Sequence, residues 1–260
     1  MKLAIVKSGV CRDQFIGHTL EGNVKKMLEK RTEISMEEIL APDEDHSEIK
    51  LVIIEGAPGI GKSTLAWEFC AKWEEFLSMR QYNLVILLRL REKKIQEIRD
   101  VSELLCFCRS KDRESLDDEL TSNCGKGVLF ILDGFDELPV ICQKEGFLVD
   151  LIGGSVLPEC TVLVTSRPSA TANLLTKCRP QKRIEILGFT RECVEEYASS
   201  IFSREPEKLK AFYLYISASN NPAIHSLMYV PLNAAIIVSL FNSSFGCRTP
   251  FTTHFDSTLH

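Results

Sequence analysis

A glycine-rich stretch near residue 60 has the residue types and the spacing that bind a phosphate chain. It fits the pattern G-x-x-x-x-G-K-[ST] over Gly56, Ala57, Pro58, Gly59, Ile60, Gly61, Lys62 and Ser63. Glycines let the backbone curl so that successive amides point at an anion, and a helix that begins at Lys62 adds its positive end. In this pattern the lysine reaches the β- and γ-phosphates, the Ser63 hydroxyl ligates Mg²⁺, and Thr64 hydrogen-bonds a phosphate nearer the nucleoside. The stretch therefore predicts a site for a nucleotide and Mg²⁺.

A group of carboxylates directly follows a later apolar run. Asp133 ends the run that begins at Val128, and Asp136 and Glu137 lie about one turn further on. Because neighbouring parallel strands bring their carboxyl ends to one edge of a sheet, Asp133 is expected to hold the metal ion or its water. Asp136 and Glu137 are expected near the position of an attacking water, which either carboxylate can orient or deprotonate. The sequence does not choose between these two residues.

One arginine is placed to face the end of the phosphate chain. Arg167 follows the apolar run 161–165, within the segment Thr-Ser-Arg-Pro. The same edge argument places it beside the γ-phosphate, where its planar guanidinium pairs with oxygens that hydrolysis removes. An arginine in that role distinguishes a triphosphate from a diphosphate. The alternative is an ion pair between Arg167 and a neighbouring carboxylate.

Alternating apolar runs and helical segments must position these residues. Short runs rich in β-branched residues predict strands at 50–55, 83–90, 128–133, 161–165 and 183–187. Helical segments are predicted between them, among them 62–79 and 146–152. Strands separated by helices imply crossover connections, so the predicted fold class is α/β, a doubly wound and mostly parallel sheet.

The remaining chain is predicted to be helical or irregular. Residues 1–49 are interpreted as a helical lead-in or linker with helical spacing at 19–30 and 34–40, and the nucleotide-binding core is assigned to 50–188. Past the core, Thr190 is a candidate N-cap, and helices are predicted at 191–202, 206–217, 223–229 and 232–241. They indicate a small helical subdomain at 189–241, followed by a loose polar tail at 242–260.

Composition excludes several other classes of function. Thirty-one basic residues against 36 acidic ones give a net charge of −5, which argues against nucleic acid as a partner. The ten cysteines include no C-x-x-C pair, so the sequence favours reduced thiols in a cytosolic protein over zinc or redox motifs. The longest late apolar run, 234–241, is far too short to span a membrane. The expected location is therefore the cytoplasm, without a membrane partner.

Three segments together resemble a known family. They are 56–64, the Phe-Ile-Leu-Asp-Gly-Phe-Asp-Glu segment at 130–137, and the Val-Leu-Val-Thr-Ser-Arg-Pro segment at 162–168. They resemble the NACHT domain, the signal-transducing module of NOD-like immune receptors and a member of the STAND class of P-loop NTPases. Asp133 to Glu137 is similar to the family's form of the Walker B motif, and Thr165 to Pro168 is similar to its sensor 1.

The resemblance implies a bistable switch that binds ADP when closed and ATP, with Mg²⁺, when open and self-associated. It also implies that Pro231 packs on adenine and that residues 34–40 close over the base from the other side. Complete family members carry effector and sensor domains for which these 260 residues have no room, and the family's winged-helix histidine has no counterpart here. Two alternatives stay open, a turnover ATPase that acts on a protein partner and a truncated fragment that no longer signals.

Overall fold

A six-stranded sheet runs through the residues that the structure describes, in the order β1-β6-β2-β5-β4-β3. This computed structural model describes residues 3–7, 34–42, 44, 48–106, 113–217, 224 and 227–244. The strands are β1 Ala4–Lys7, β2 Leu51–Gly56, β3 Leu84–Arg89, β4 Val128–Asp133, β5 Thr161–Ser166 and β6 Lys182–Gly188. Strands β2 to β6 pair in parallel, and β1 joins β6 antiparallel at one edge. The mostly parallel sheet predicted from the sequence is confirmed.

The central strands are apolar along their whole length because helices cover both faces of the sheet. All six residues of β2 and of β5 are buried. The helices of this region are α1 Met36–Leu40, α2 Lys62–Ala71, α3 Lys93–Gln96, α4 Val101–Leu105, α5 Arg113–Ser122, α6 Phe147–Ile152 and α7 Pro168–Leu174. Helix α2 packs on one face through Leu65 and Phe69, whereas α6 and α7 pack on the other. The chain is therefore doubly wound, as predicted.

A helical unit follows the sheet. Its helices are α8 Arg191–Ile201, α9 Pro206–Ser217 and α10 Pro231–Ser244. The Thr190 hydroxyl accepts from the Cys193 amide at 3.3 Å, so the predicted N-cap is confirmed. Aromatic rings fill the centre of the unit, with the Phe212 ring 5.5 Å from that of Phe202 and 5.1 Å from that of Phe241. These contacts give the unit a hydrophobic core of its own.

The beginning of the chain corrects one prediction. The sequence predicts a helical lead-in or linker at 1–49, but Ala4–Lys7 forms β1, which pairs with β6, and Ile5 and Val6 are buried there. A four-residue strand has too little periodicity to be recognised from sequence. The helical prediction at 34–40 is confirmed by α1, whereas the one at 19–30 lies outside the described residues.

The helix predicted at 62–79 is also shorter than expected. It ends at Ala71, and a 3₁₀ turn at Leu77–Met79 follows. An 18-residue helix would be about 27 Å long, which exceeds the length of a six-residue strand at about 20 Å. The chain therefore turns back, and Phe76 packs on Phe69 with 6.3 Å between the ring centres.

The last helices of the structure differ from the predicted ones only at their ends or in how many of their residues the structure describes. Helix α10 continues to Ser244, three residues beyond its predicted end. Of the predicted helix 223–229, residues 224 and 227 are helical, and 223, 225 and 226 lie outside the described residues. Residues 245–260, most of the predicted tail, also lie outside them.

Candidate nucleotide-binding site

The loop from Gly56 to Gly61 joins the buried strand β2 to helix α2. Gly59 has φ +71° and Gly61 has φ +108°, a region of backbone space that side chains with a Cβ rarely adopt. A Cβ on Gly59 would also lie 3.0 Å from the Leu232 Cβ. The loop thus turns sharply into the first turn of α2, whose amides carry the positive end of the helix dipole. This geometry suits a bound phosphate.

Lys62 crosses the same loop. Its Nζ donates to the carbonyl oxygens of Gly56 at 2.8 Å and Ala57 at 3.0 Å. Burial lowers the pKa of Lys62 below its ordinary value; Asp136, Asp133 and Glu137 oppose that shift, while Arg167 adds to it. The ammonium is thus partly desolvated, and a phosphate anion would stabilise its charge.

Ser63 and Asp133 meet as the sequence predicts. The Ser63 hydroxyl donates to Asp133 Oδ1 at 3.0 Å, and the Thr165 hydroxyl donates to the same oxygen at 2.7 Å. The Gly134 amide donates to the Thr165 hydroxyl at 3.0 Å, which fixes the end of β4 against β5. Sequence analysis names Thr165 only within the sensor 1 segment and misses its contact with Asp133, although that contact follows from the parallel register of the two strands.

The oxygen donors at Ser63 and Asp133 fit Mg²⁺. This cation prefers oxygen ligands and is usually held by one or two protein groups together with substrate phosphates and water. Among the described residues no cluster of three or more His, Cys, Asp or Glu side chains is arranged to hold a metal. Mg²⁺ would therefore be held jointly by Ser63, Asp133 and a nucleotide.

Asp136 and Arg167 form an ion pair. The Arg167 Nε lies 2.8 Å from Asp136 Oδ2, and the Arg167 backbone amide donates to Asp136 Oδ1 at 3.1 Å. The Asp136 side chain is 12% exposed, and that of Arg167 is 51% exposed. The ion pair named as the alternative from sequence is thus present, and it leaves Arg167 at the cavity.

Glu137 occupies a different position from Asp136. Both lie in the 3₁₀ turn Phe135–Glu137, whose N-cap Gly134 has φ +86°. The Glu137 carboxyl carbon is 3.2 Å from the position of a Cβ on Gly134. Glycine at this position therefore lets the Glu137 carboxylate fold back close to the end of β4.

Most of these groups line one cavity of about 490 Å³ between the sheet and the helical unit. Of the predicted site residues, Pro58, Gly59, Ile60, Gly61, Lys62, Ser63, Thr64, Asp133, Asp136, Glu137, Arg167 and Pro231 line it. Gly56 and Ala57 contribute the carbonyls that hold Lys62. The lining residues that sequence reasoning missed are Gly134, Phe189, Tyr197, Leu232 and Ala235.

The helical unit contacts the loop directly. The Leu232 amide donates to the Gly59 carbonyl at 3.3 Å. Pro231 is the first residue of α10 and lines the cavity. The cavity is therefore built from both parts of the chain.

Residues 34–40 lie elsewhere. None of them is among the described residues that line the cavity, and Ile39 and Leu40 are buried in the core instead. Lys182 fixes the end of α1, because its Nζ donates to the Glu38 carbonyl at 2.7 Å and also to the Ala41 carbonyl. The role that the resemblance implies for this segment has no support in the cavity's lining.

The fold and this cavity define a P-loop NTPase, with the glycine-rich loop between a parallel strand and a helix and the acidic strand end beside it. The family model described as "NACHT domain" matches residues 50–205. The chain belongs to the NACHT family.

Relatives share this region. The mouse "NACHT, LRR and PYD domains-containing protein 10" is 30% identical over 76% of this chain and 29% of its own length. The human "NACHT, LRR and PYD domains-containing protein 3" is 28% identical over 83% of this chain and 22% of its own. The chain thus spans less than a third of these relatives.

A solved structure described as a DNA replication initiation factor is 13% identical, with a TM-score of 0.44 over 88% of this chain and 63% of its own. So low a score carries no argument.

Across the residues that the structure describes, no helix is both long and apolar enough to cross a membrane.

Proposed function

We propose that this chain binds ATP and ADP with Mg²⁺ and acts as a nucleotide-controlled signalling switch that hydrolyses ATP slowly. One observation carries the proposal. A single cavity joins Lys62, the Ser63 and Asp133 pair, and Arg167 to the first turn of α10. Phosphate-binding groups and the helical unit therefore contact the same ligand.

The residues that line the cavity have different binding roles, according to where each one lies. The amides at the start of α2 and the Lys62 ammonium bind the phosphates, while Ser63 and Asp133 hold Mg²⁺, which offsets phosphate charge. Pro231 and Leu232 lie on the helical side, where the nucleoside is expected. ATP and ADP differ in the γ-phosphate, and Arg167, directly after β5, is the cationic side chain expected to bind that phosphate.

The position of the cavity supports a switch. A ligand stabilises the arrangement of the parts it contacts in proportion to its affinity for that arrangement. Because both the sheet and α10 line the cavity, the nucleotide bound there biases how the two parts sit together. We further propose self-association or binding of a partner protein in the ATP state, within a receptor-like protein of innate-immune type. Family membership supports this part.

Nucleotide binding is tested by calorimetric titration of ADP into the chain and into Lys62→Ala. Without Lys62, the cavity holds three carboxylates and Arg167 as the cationic side chain opposite them, which disfavours a phosphate. Loss of a charged hydrogen bond alone costs about 1.5–3 kcal/mol. We expect Lys62→Ala to lose micromolar affinity. Lys72→Ala is the matched control, because Lys72 lies just after the same helix, exposed and paired with Glu68. Retained micromolar binding by Lys62→Ala would contradict the assignment.

Slow hydrolysis is tested by comparing single-turnover with steady-state ATP hydrolysis. A switch requires that nucleotide states persist, so we expect steady turnover well below about one per second, the low end of ordinary enzyme rates. Sustained turnover at or above that rate would favour a turnover ATPase. Gel filtration with ADP and then with a non-hydrolysable ATP analogue tests the assembly step, and an unchanged size would favour a fragment that does not signal alone.

A further inference from the structure

Glu55 is a buried carboxylate that the proposed site does not use. It lies immediately before Gly56 in β2 and is 4% exposed. Its Oε2 accepts from Arg183 Nη2 at 2.7 Å, and its Oε1 accepts from the Thr171 hydroxyl. Glu55 is absent from the cavity's lining. Each carboxylate oxygen is therefore held by a different element, β6 on one side and α7 on the other.

The position of Glu55 connects the two ends of the phosphate site. Alternation along β2 puts Leu51, Ile53 and Glu55 on the face that α7 covers, opposite to α2. Glu55 is in register with Ser166 of β5, directly before Arg167. At this level of the sheet, β2 enters the phosphate loop while β5 enters α7.

Thr171 belongs to the first turn after Arg167. The Arg167 residue is the N-cap of α7, and its carbonyl accepts from the amides of Ala170 at 3.1 Å and Thr171 at 3.4 Å. The same Thr171 hydroxyl proton is shared with the Pro168 carbonyl oxygen, 3.0 Å from Oγ1, and the residue is fully buried. Through this turn, the Glu55 carboxylate is one hydrogen bond away from the backbone that carries Arg167.

Stability alone does not account for a charge at this position. Burying a carboxylate is costly, and the Arg183 side chain that pairs with Glu55 is 35% exposed, so solvent weakens the ion pair that would offset this cost. Arg183 Nε is buried here without a hydrogen-bond partner, a further cost. What the pair supplies is a directional connection, since the carboxylate fixes both a helix turn and a neighbouring strand relative to β2.

We propose that Glu55 is a positioning residue that holds the Arg167 turn in place against the phosphate loop and thereby sets the discrimination between nucleoside triphosphate and diphosphate. This inference rests on the proposed function, in which Arg167 responds to the γ-phosphate. Glu55 contacts no nucleotide and acts through Thr171, with Arg183 fixing its second oxygen.

The test measures the ratio of the ADP dissociation constant to that of a non-hydrolysable ATP analogue, both with Mg²⁺, on the full chain. Thr171→Val keeps the shape and removes the hydroxyl, so we expect the ratio to fall about fivefold or more, the lower range of coupling between sites. ADP affinity should stay within about threefold, and Thr171→Ser should retain the parent ratio because it keeps the hydroxyl. Thr176→Val is the control, since the Thr176 hydroxyl bonds the nearby Asn173 carbonyl on the surface.

A double-mutant cycle with Arg167→Ala separates the possible failures. If Thr171 acts through Arg167, then Thr171→Val adds nothing to the loss in an Arg167→Ala chain. A parent-like ratio in Thr171→Val, or additive losses, would overturn the inference and leave the proposed role of Arg167 standing. A parent-like ratio in Arg167→Ala would overturn both. Glu55→Gln is expected to lower the ratio as well. If a variant at buried Thr171 or Glu55 does not fold, Arg183→Gln replaces it in the same measurement, because the Arg183 side chain is partly exposed.

Discussion

Neutralising Asp136 and neutralising Glu137 should have different effects on ATP hydrolysis and ATP binding. Both carboxylate oxygens of Asp136 bind Arg167: Oδ2 lies 2.8 Å from the Arg167 Nε, and Oδ1 accepts from the Arg167 amide at 3.1 Å. Glu137 folds back over Gly134 at the same cavity. We therefore expect Glu137 to orient the attacking water and Asp136 to restrain Arg167, a division that the sequence leaves open.

The size of each effect follows from these contacts. Loss of a general base or of a water-orienting carboxylate slows hydrolysis by about 10²–10⁴-fold, so Glu137→Gln should show a loss in this range. A charge-assisted pair is worth about 1.5–3 kcal/mol when buried, but Arg167 is 51% exposed. After discounting for solvent, about 1 kcal/mol remains, so Asp136→Asn should release Arg167 and tighten ATP binding about fivefold, with ADP binding little changed.

Two assays on the same proteins decide the matter. Single-turnover hydrolysis measures the chemical step, and fluorescence titration with a non-hydrolysable ATP analogue measures affinity. Asp136→Asn should keep its hydrolysis rate within about tenfold of the parent, well short of a general-base loss. The reasoning is refuted if Asp136→Asn slows hydrolysis as much as Glu137→Gln does and shows no gain in affinity. An unchanged rate in both variants would remove both residues from hydrolysis.

Three further outcomes are expected. Gly59→Ala should weaken nucleotide binding, because Gly59 has φ +71° and an added Cβ would lie 3.0 Å from Leu232; calorimetric affinity equal to that of the parent would contradict this. Phe212→Ala removes a fully buried ring from the helical unit and should lower the free energy of unfolding by about 3–5 kcal/mol in urea titration, whereas a loss under about 1 kcal/mol would show that the ring is not packed as described. Burial raises the pKa of Cys160 to about 12, so its thiolate forms only as pH rises toward that value. Iodoacetamide at pH 8.5 should therefore modify the exposed Cys106 well before Cys160, as read by peptide mass mapping, and equal rates would contradict the burial of Cys160.

The parts of the site that are local in sequence could be predicted. The loop around Lys62 is a continuous pattern, and its geometry follows from glycine and from the helix that it precedes. Asp133 and Arg167 could be placed at the same edge because parallel strands end there together. Both lie at the cavity beside Lys62.

Long-range pairings could not be predicted from periodicity. The Leu232 amide bonds the Gly59 carbonyl, and Glu55 bonds Thr171, across more than a hundred residues in each case. Such contacts depend on how helices dock on the sheet rather than on local sequence. Strand β1 was missed for a related reason, since its pairing with β6 is what makes four residues a strand.

The position of bound nucleotide tests the central claim most directly. A crystal structure of the chain with ADP and Mg²⁺ should show the phosphates against the amides between Gly59 and Thr64, with Mg²⁺ beside Ser63 and Asp133. Lys62 Nζ should have moved from the Gly56 and Ala57 carbonyls to a phosphate, and the base should lie near Pro231. Nucleotide bound away from this cavity, or no binding at millimolar ADP, would contradict the account.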